Sequence, residues 1–266
     1  MSDLDHLENQ SIYIIREAYS RFRKTALLWS MGKDSTALLW LCRKAFLGHL
    51  PFPVLHIDTG FKFKEIYAFR EALSREFNLD LIVAQNTRAR QAGMNSQKGK
   101  FACCDALKTR ALKDAVAEKK FEALLLAIRR DEHGIRAKER FFSPRDADQR
   151  WDYQNQPMEL WHQYSRNLGQ YQHFRVHPML GWREIDIWRY IQRERIPVID
   201  LYFAKNGHRY RSIGCEPCCT TVPSKANTIA KIIRELKKTD IAERSGRAQD
   251  KEDADNMQKL RSLGYM

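Results

Sequence analysis

Short apolar runs alternate with longer amphipathic stretches through the first half of the chain. The runs are too short for helices and indicate buried strands, whereas the stretches between them repeat apolar residues at helical spacing. The predicted strands and helices, in chain order, are Leu7–Phe22, Thr25–Trp29, 37–47, Val54–Ile57, Glu65–Glu76, Asp80–Ala84, Asp105–Lys120 and Leu124–Ile128. This alternation predicts a doubly wound α/β fold, with a mostly parallel sheet covered by helices on both faces.

The second half of the chain is less regular. Its predicted elements are a strand at Phe174–Pro178 and helices at Glu184–Glu194 and Ile229–Leu236. Trp151–Gln172 is rich in aromatic and amide residues without a clear period, and we expect it to wrap around the site. Glu243–Tyr265 is predicted to be a charged tail. We therefore predict a main α/β domain over residues 1–200 and a helical or irregular, cysteine-bearing extension over residues 201–266 that packs on it.

A polar loop separates the first predicted strand from its helix. Its residues are Ser30, Met31, Gly32, Lys33, Asp34, Ser35 and Thr36. A strand that turns on a glycine into a helix N-terminus presents free N–H groups and the positive end of the helix dipole to an anion. The hydroxyl groups add donors and Lys33 adds a mobile positive charge. The loop predicts a nucleotide phosphate site, but not a Walker A loop, because Asp34 separates Lys33 from Ser35.

Polar residues also follow two other predicted strands, at the edge of the sheet where parallel folds bind ligands. Asp58 follows the second strand, where it could contact Mg²⁺ or substrate. The alternative is that Asp58, Thr59 and Gly60 form a turn or a helix cap. Arg129 and Arg130 follow the fourth strand, and paired guanidinium groups there could hold a polyphosphate. Surface ion pairs are the alternative for these two arginines.

Composition narrows the class of partner. The chain has 266 residues and a formal net charge of +13, which favours an anionic partner such as a nucleotide, sulfate or nucleic acid. The basic stretch Thr87–Lys100 is expected to form a mobile loop that could cover a polyanionic substrate. No apolar run reaches membrane-spanning length and the acidic N-terminus is not a signal peptide, so a cytoplasmic protein without membrane partners is expected.

The six cysteines are grouped rather than spread. Cys103 and Cys104 are adjacent, and Cys215 and Cys218 form a Cys-x-x-Cys pair after a long gap. Grouping favours reduced thiols or a metal site over a disulfide framework. Four thiolates suit an iron–sulfur cluster or structural zinc, and adjacent cysteines suit tetrahedral zinc less well. Two pairs of unrelated buried thiols are the alternative, while Cys219 could carry sulfur or have no role.

Taken together, the motifs resemble those of one family. The Ser-x-Gly-Lys-Asp-Ser loop resembles the PP-loop of ATP pyrophosphatases. Nearly the whole chain resembles the adenosine phosphosulfate/phosphoadenosine phosphosulfate reductase-like group, and within it the small subunit of heterodimeric bacterial sulfate adenylyltransferase. The segments that carry this resemblance are Ser11–Glu17, Ser30–Ser35, 50–53, His56–Gly60, Arg129–Glu132, Arg136–Arg140, Glu159–His162, Asp186–Trp188 and Glu243–Arg247 with the residues that follow.

The resemblance implies an adenine nucleotide α-hydrolase-like fold and adenylyl transfer from ATP, in which an oxyanion attacks the α-phosphorus and pyrophosphate leaves. It implies that Ser30–Thr36 binds ATP, with Lys33 and Asp34 among the catalytic residues. Asp58 would contact Mg²⁺ or substrate, and Arg129 and Arg130 would stabilise developing charge. A GTPase sulfurylase subunit would be the partner, and a homo-oligomer is compatible with the sequence.

The cysteines depart from that pattern. Cys103, Cys104, Cys215 and Cys218 resemble the ligands of the [4Fe–4S] cluster in assimilatory adenosine phosphosulfate reductases. Because no cysteine follows Cys219, reduction of a phosphosulfate is disfavoured. The thiols and the positive charge favour sulfur insertion, which similar PP-loop proteins with grouped cysteines carry out on tRNA or on the DNA backbone. The resemblance to oxyanion-activating relatives favours the DNA backbone (phosphorothioation), with a cysteine desulfurase and DNA-processing proteins as partners. The alternative is formation of adenosine 5′-phosphosulfate from ATP and sulfate.

Overall fold

A computed structural model describes residues 2–154, 156, 173–247 and 256–265. The helices are α1 (Asp3–Arg21), α2 (Lys33–Ala45), α3 (Lys64–Glu76), α4 (Thr87–Gln91), α5 (Lys100–Cys104), α6 (Arg110–Lys119), α7 (Glu184–Glu194), α8 (Ile229–Leu236) and α9 (Asn256–Ser262). The strands are β1 (Thr25–Leu28), β2 (Val54–Ile57), β3 (Leu81–Ala84), β4 (Ala123–Leu125), β5 (Phe142–Arg145), β6 (His173–Val176), β7 (His208–Arg209) and β8 (Val222–Pro223). Glu159–His162 and most of Trp151–Gln172 lie outside the described residues.

The described strands confirm the predicted fold class. A six-stranded sheet has the order β3-β2-β1-β4-β6-β5, and a two-stranded sheet joins β7 to β8. In the larger sheet β3, β2, β1, β4 and β6 run parallel, and β5 pairs antiparallel with β6 at the edge. β1 is completely buried at the centre. The loop that follows β1 therefore lies at the carboxyl edge of the central strands, as predicted for a ligand site.

Helix α1 starts before the predicted position. Ser2 caps it, because its hydroxyl accepts the Asp5 N–H at 3.3 Å while the Asp5 carboxylate accepts the Ser2 N–H at 2.8 Å. The first turn is polar and does not repeat apolar residues at helical spacing. In the sequence, only the capping residues mark the start of the helix. Its inner face buries Ile14 and Ile15 completely in the main core. None of the helices within the described residues is long and apolar enough to cross a bilayer.

Two segments differ from the sequence-based expectation. The basic stretch predicted as an open loop contains α4 and a 3-10 turn, Ser96–Lys98, each capped by an asparagine side chain. The predicted charged tail instead contributes a buried 3-10 turn, Glu243–Gly246, and the helix α9. Its end is anchored because the buried Arg175 guanidinium donates to the carbonyl groups of Gly264 and Tyr265. The prediction of a charged tail rested on charge alone, and it was wrong because the charged side chains of this segment are paired inside the protein.

His56 in β2 gives the fold a pH dependence. Burial lowers the pKa of His56 to about 3, from 6.5. As the pH falls below about 6.5, the unfolded chain gains this proton first, so the stability that neutral His56 contributes is lost between pH 6.5 and 3. We expect the unfolding free energy of the wild type to fall by up to about 1.4 kcal/mol per pH unit more than that of His56→Gln. Urea unfolding from pH 7 to pH 4 measures this, and parallel profiles would contradict it.

Candidate active site

The loop between β1 and α2 turns at Met31 rather than at Gly32. Met31 has a φ of 61°, and its side chain is buried. Gly32 precedes the first residue of α2 with an ordinary φ of −70°. A Cβ on Gly32 would lie 3.4 Å from the Tyr202 hydroxyl and 3.5 Å from the Ser30 hydroxyl. These are ordinary contact distances, so a side chain does not clash at Gly32, and the backbone strain of the loop lies at Met31.

Hydroxyl groups hold the loop in shape. The Ser35 hydroxyl accepts the Ser30 N–H at 3.2 Å and donates to the Gly32 carbonyl at 3.1 Å. The Lys33 N–H donates to the Tyr202 hydroxyl at 2.9 Å. The Trp29 indole donates to the Thr36 hydroxyl at 3.1 Å, which places Thr36 in the core. An open cavity lies beside this loop. Of the predicted ATP-binding residues, Ser30, Gly32, Lys33, Asp34 and Ser35 line it.

Lys33 and Arg129 share a buried network of carboxylates. The Lys33 ammonium contacts Asp34 at 2.9 Å and also Glu243. The Arg129 guanidinium contacts Asp34 at 2.7 Å, and also Glu243 and Asp131. Burial disfavours both cations, but these carboxylates outweigh it and raise the pKa of Lys33 and of Arg129. Both therefore stay charged while buried, and of the two only Lys33 lines the cavity.

Glu243 is the site residue to which sequence reasoning gave no role. It lies 210 residues from Lys33, so no local pattern joins them. The motif Glu243–Arg247 supported the family resemblance and was the one available signal. The predicted Arg130 lies elsewhere: its guanidinium sits 5.4 Å from the Phe141 ring centroid and is not among the cavity-lining residues. The roles predicted for Arg129 and Arg130 remain predictions.

One cavity extends from the loop toward the C-terminal segments. It has a volume of about 900 Å³, including its open mouth. Apart from the loop, its wall carries apolar residues of and just after β4, and a group of basic side chains. These basic residues are Lys62, Lys108, Arg136, Arg244 and Arg247. The loop and these basic side chains therefore line one cavity.

Asp58 makes contacts that favour the turn interpretation. Its carboxylate accepts the Gly60 N–H at 2.8 Å, the Tyr67 hydroxyl at 2.9 Å and the Gln85 amide at 2.7 Å. Burial raises its pKa, and these hydrogen bonds outweigh burial and lower it. Asp58 is not among the cavity-lining residues. Its predicted contact with Mg²⁺ or substrate remains a prediction.

The two cysteine pairs come within electrostatic range of each other. Burial and the neighbouring thiols raise the pKa of Cys103 to about 12. Cys215 behaves differently: burial raises its pKa, but Lys108, Lys62 and a 3.2 Å contact with the Thr59 hydroxyl lower it to about 6. In the described part of the chain, no group of three or more His, Cys, Asp or Glu residues could hold a metal ion. The predicted metal ligands therefore remain a prediction.

Removal of the Glu243 carboxylate should destabilise the protein. Glu243→Ala leaves Lys33 and Arg129 each with one buried anion fewer, so we expect a loss of about 3–5 kcal/mol in unfolding free energy. Glu118→Ala, an exposed control, should be neutral within about 0.5 kcal/mol. Because pyrophosphate would replace the missing carboxylate, it should raise the melting temperature of Glu243→Ala more than that of the wild type. Equal shifts, or an unchanged stability, would contradict this assignment.

Comparison with solved structures identifies the fold. A phosphoadenylyl-sulfate reductase from Candida auris is 15% identical with a TM-score of 0.57, over 84% of this chain and 98% of that one. Candida glabrata FMN adenylyltransferase is 17% identical with a TM-score of 0.59, over 92% of this chain and 87% of that one. At such low identity these likenesses show a shared nucleotide-binding fold.

Sequence relatives are much closer. The family model described as "Phosphoadenosine phosphosulfate reductase domain" matches residues 24–221. Proteins named sulfate adenylyltransferase subunit 2 are 39% identical in Allorhizobium ampelinum, over 98% of this chain and 93% of that protein, and 40% identical in Rhodospirillum rubrum, over 100% of both. The chain therefore belongs to the phosphoadenosine phosphosulfate reductase domain family and is an adenylyl-transferring enzyme.

Proposed function

We propose that this chain is the ATP-binding subunit of a sulfate adenylyltransferase and forms adenosine 5′-phosphosulfate from ATP and sulfate. One observation carries the proposal: a single cavity joins the Ser30–Ser35 loop to buried basic side chains. The loop suits pyrophosphate and the basic side chains suit a second anion. Relatives named sulfate adenylyltransferase subunit 2 match the chain over nearly its whole length, which supports sulfate as the acceptor and a second subunit as partner.

The reaction needs positioning and charge neutralisation more than covalent chemistry. A sulfate oxygen attacks the α-phosphorus, a new P–O bond forms, and the bond to the bridging oxygen breaks with its electron pair on pyrophosphate. Lys33 and the loop N–H groups would hold the leaving pyrophosphate. Arg129 would act through Asp34 and Glu243, which it contacts directly. The Lys33 ammonium must then exchange its contact with Glu243 for a contact with a phosphate oxygen.

Mg²⁺ would neutralise phosphate charge when it is bound. The carboxylates nearest the loop, Asp34, Asp131 and Glu243, are already paired with Lys33 or Arg129. Among the residues with described positions, they form no ready metal site. Mg²⁺ is commonly held by one or two carboxylates together with substrate phosphates. We therefore infer that the metal arrives with ATP and takes at most one or two of these carboxylates.

Sulfate-dependent product formation tests the proposal. With ATP, ³⁵S-sulfate and a GTPase sulfurylase subunit, we expect labelled adenosine phosphosulfate and pyrophosphate in equal amounts. Lys33→Ala should lower kcat/KM by about 10²–10³-fold, as loss of a transition-state donor does. Lys64→Ala removes an exposed lysine at the start of α3 and serves as the matched control. Release of ADP would contradict the PP-loop assignment, and pyrophosphate release independent of sulfate would contradict sulfate as the acceptor.

The cysteine group supports a second candidate function. The relatives favour sulfate activation over the phosphorothioation hypothesis. Sulfate activation, however, needs no thiols. Cys103, Cys104, Cys215 and Cys218 lie within electrostatic range of one another. If they hold a [4Fe–4S] cluster or zinc, sulfur insertion into an activated DNA phosphate, with sulfur from a cysteine desulfurase, becomes the competing reaction. Thiols suit either metal, although no ligand group is assembled among the described residues.

Metal content separates the two candidates. If a [4Fe–4S] cluster is bound, we expect brown, iron-containing protein after anaerobic purification, with absorbance at about 400 nm. Changing Cys104 or Cys218 to Ser should then remove the iron, whereas changing Cys42, buried on α2 away from the group, should not. Colourless protein that contains neither iron nor zinc would contradict metal binding by the thiols, and sulfur insertion would lose its main support.

A further inference from the structure

One buried tyrosine connects the Ser30–Ser35 loop to the segment that follows α7. Tyr202 lies on a 3-10 turn, Asp200–Tyr202, and only 2% of its surface is exposed. Its hydroxyl accepts the Lys33 N–H at 2.9 Å, across 169 positions of the sequence. The same tyrosine lines the cavity beside the loop. Its hydroxyl therefore lies between the backbone of the loop and the space in which the proposed function places phosphate.

The backbone group that Tyr202 contacts is one that normally binds anions. Lys33 is the first residue of α2, so its N–H has no partner within the helix. Free N–H groups at the start of a helix donate to bound phosphate in many nucleotide sites. Here the Lys33 N–H is already used, because the Tyr202 oxygen takes the position of such an acceptor. What the hydroxyl does with its own hydrogen therefore decides its role.

The Tyr202 hydroxyl keeps a hydrogen to donate. Burial raises the pKa of Tyr202 to about 12, although the neighbouring Lys33 lowers it, so the phenol is neutral at physiological pH. In the part of the chain that the structure describes, the Lys33 N–H is the one hydrogen-bond partner of this hydroxyl, and no group accepts its hydrogen. A hydroxyl that accepts one hydrogen bond is polarised and donates a stronger one.

The surroundings hold the ring in place. Trp188 of α7 packs edge-on against Tyr202, with ring centroids 5.5 Å apart and an interplanar angle of 83°. Trp188 is itself completely buried. The Tyr202 N–H closes its own turn by donating to the Ile199 carbonyl at 3.2 Å. A donor that is fixed before the ligand arrives needs no reorganisation during the reaction.

The Lys33 ammonium is less available than this hydroxyl. It lies 5.9 Å from the centroid of the Tyr202 ring, and both residues line the same cavity. The ammonium already contacts Asp34 and Glu243. It must exchange one of these contacts before it binds a phosphate oxygen, whereas the hydroxyl hydrogen can bind without any exchange.

We propose that Tyr202 is a further phosphate-binding residue of this site, whose hydroxyl accepts the Lys33 N–H and donates its hydrogen to an oxygen of pyrophosphate. It makes this contact in ATP and retains it as pyrophosphate leaves. The hydrogen stays on the phenol oxygen, so no proton is transferred. The inference rests on the proposed function in that it places pyrophosphate at the loop.

Two other roles for the same contact predict different results. In the first, the hydroxyl only anchors the loop by accepting the Lys33 N–H, and it does not touch the ligand. In the second, a phosphate oxygen displaces the hydroxyl from that N–H. Only the proposed role uses the hydrogen of the Tyr202 hydroxyl.

Pyrophosphate binding to the full-length chain, measured by calorimetry in the presence of Mg²⁺, tests the hydroxyl. Tyr202→Phe keeps the ring against Trp188 and removes the donor. We expect it to weaken pyrophosphate binding by about 10-fold or more, as loss of a hydrogen bond to a charged group does. Binding of AMP, which lacks these phosphates, should be unchanged. Equal or tighter pyrophosphate binding by Tyr202→Phe would overturn the proposal, and tighter binding would indicate displacement of the hydroxyl.

Tyr190→Phe is the matched control. It also removes a completely buried hydroxyl, one that donates to Glu8 and does not line the cavity. We expect both variants to melt at a lower temperature than the wild type, because each loses a buried hydrogen bond. Tyr190→Phe should bind pyrophosphate as the wild type does, and an equal loss of affinity in both variants would overturn the proposal.

Replacement of Tyr202 by fluorotyrosine separates donation from anchoring. Ring fluorine makes the hydroxyl a stronger donor and a weaker acceptor, and burial keeps the phenol protonated at neutral pH. Both hydrogen bonds remain possible, so this variant is the safeguard if Tyr202→Phe does not fold. We expect pyrophosphate to bind it more tightly than the wild type. Equal or weaker binding would indicate a hydroxyl that only anchors the loop, and would overturn the proposal.

The outcomes separate the role of Tyr202 from the proposed function. Suppose that Tyr202→Phe loses pyrophosphate affinity, but the wild type with the GTPase subunit forms no sulfate-dependent adenosine phosphosulfate. The role of Tyr202 would then be retained and sulfate would be rejected as the acceptor. Formation of that product, with equal pyrophosphate affinity in the wild type and Tyr202→Phe, would retain the proposed function and reject the role of Tyr202.

Discussion

The contact of Glu243 with Lys33 and Arg129 holds the site together. It joins the C-terminal segment to the loop after β1, across most of the chain length. Without it, two cations would be buried beside Asp34 and Asp131 with less negative charge than they require. If Lys33 holds a phosphate group, as we propose, that group competes with Glu243 for the Lys33 ammonium. Stability of the free protein and affinity for the nucleotide would then be opposed at this carboxylate.

The distribution of charge divides the cavity into two ends. At the loop, each cation has a carboxylate partner, so an incoming phosphate replaces one anion by another. At Lys62, Lys108 and Arg247 the described residues provide no carboxylate partner, and burial is opposed at Lys108 by Cys215, Tyr265 and Cys104, which raise its pKa. Tyr265 contacts Lys108 and is itself held by the buried Arg175, which makes the C-terminal residues part of the wall. Both ends thus depend on segments from the last fifty residues.

Local pattern predicted most of the sheet, because β1, β2 and β4 are short, mainly apolar runs buried on both faces. It missed β5, since Phe142–Arg145 contains a proline and a buried arginine that pairs with Glu139 at 3.0 Å. The loop was recognisable because its residues are contiguous. Glu243, Lys62 and Lys108 were not, because their roles depend on contacts between distant segments that leave no period in the sequence. For the same reason the prediction of a charged tail was wrong. Arg261 in this segment is buried against Glu139, which lies 122 residues away in the sequence.

The grouped cysteines and the positive net charge explain why the sequence supported two acceptors. A tetrahedral oxyanion and an anionic cluster held by thiolates both require compensating positive charge in a buried place. Lys62 and Lys108 meet that requirement beside Cys215, whichever anion is bound. If the loop holds pyrophosphate, as we propose, it sets where ATP is cleaved and serves both candidate reactions. The two reactions would then differ in the acceptor and not in the loop.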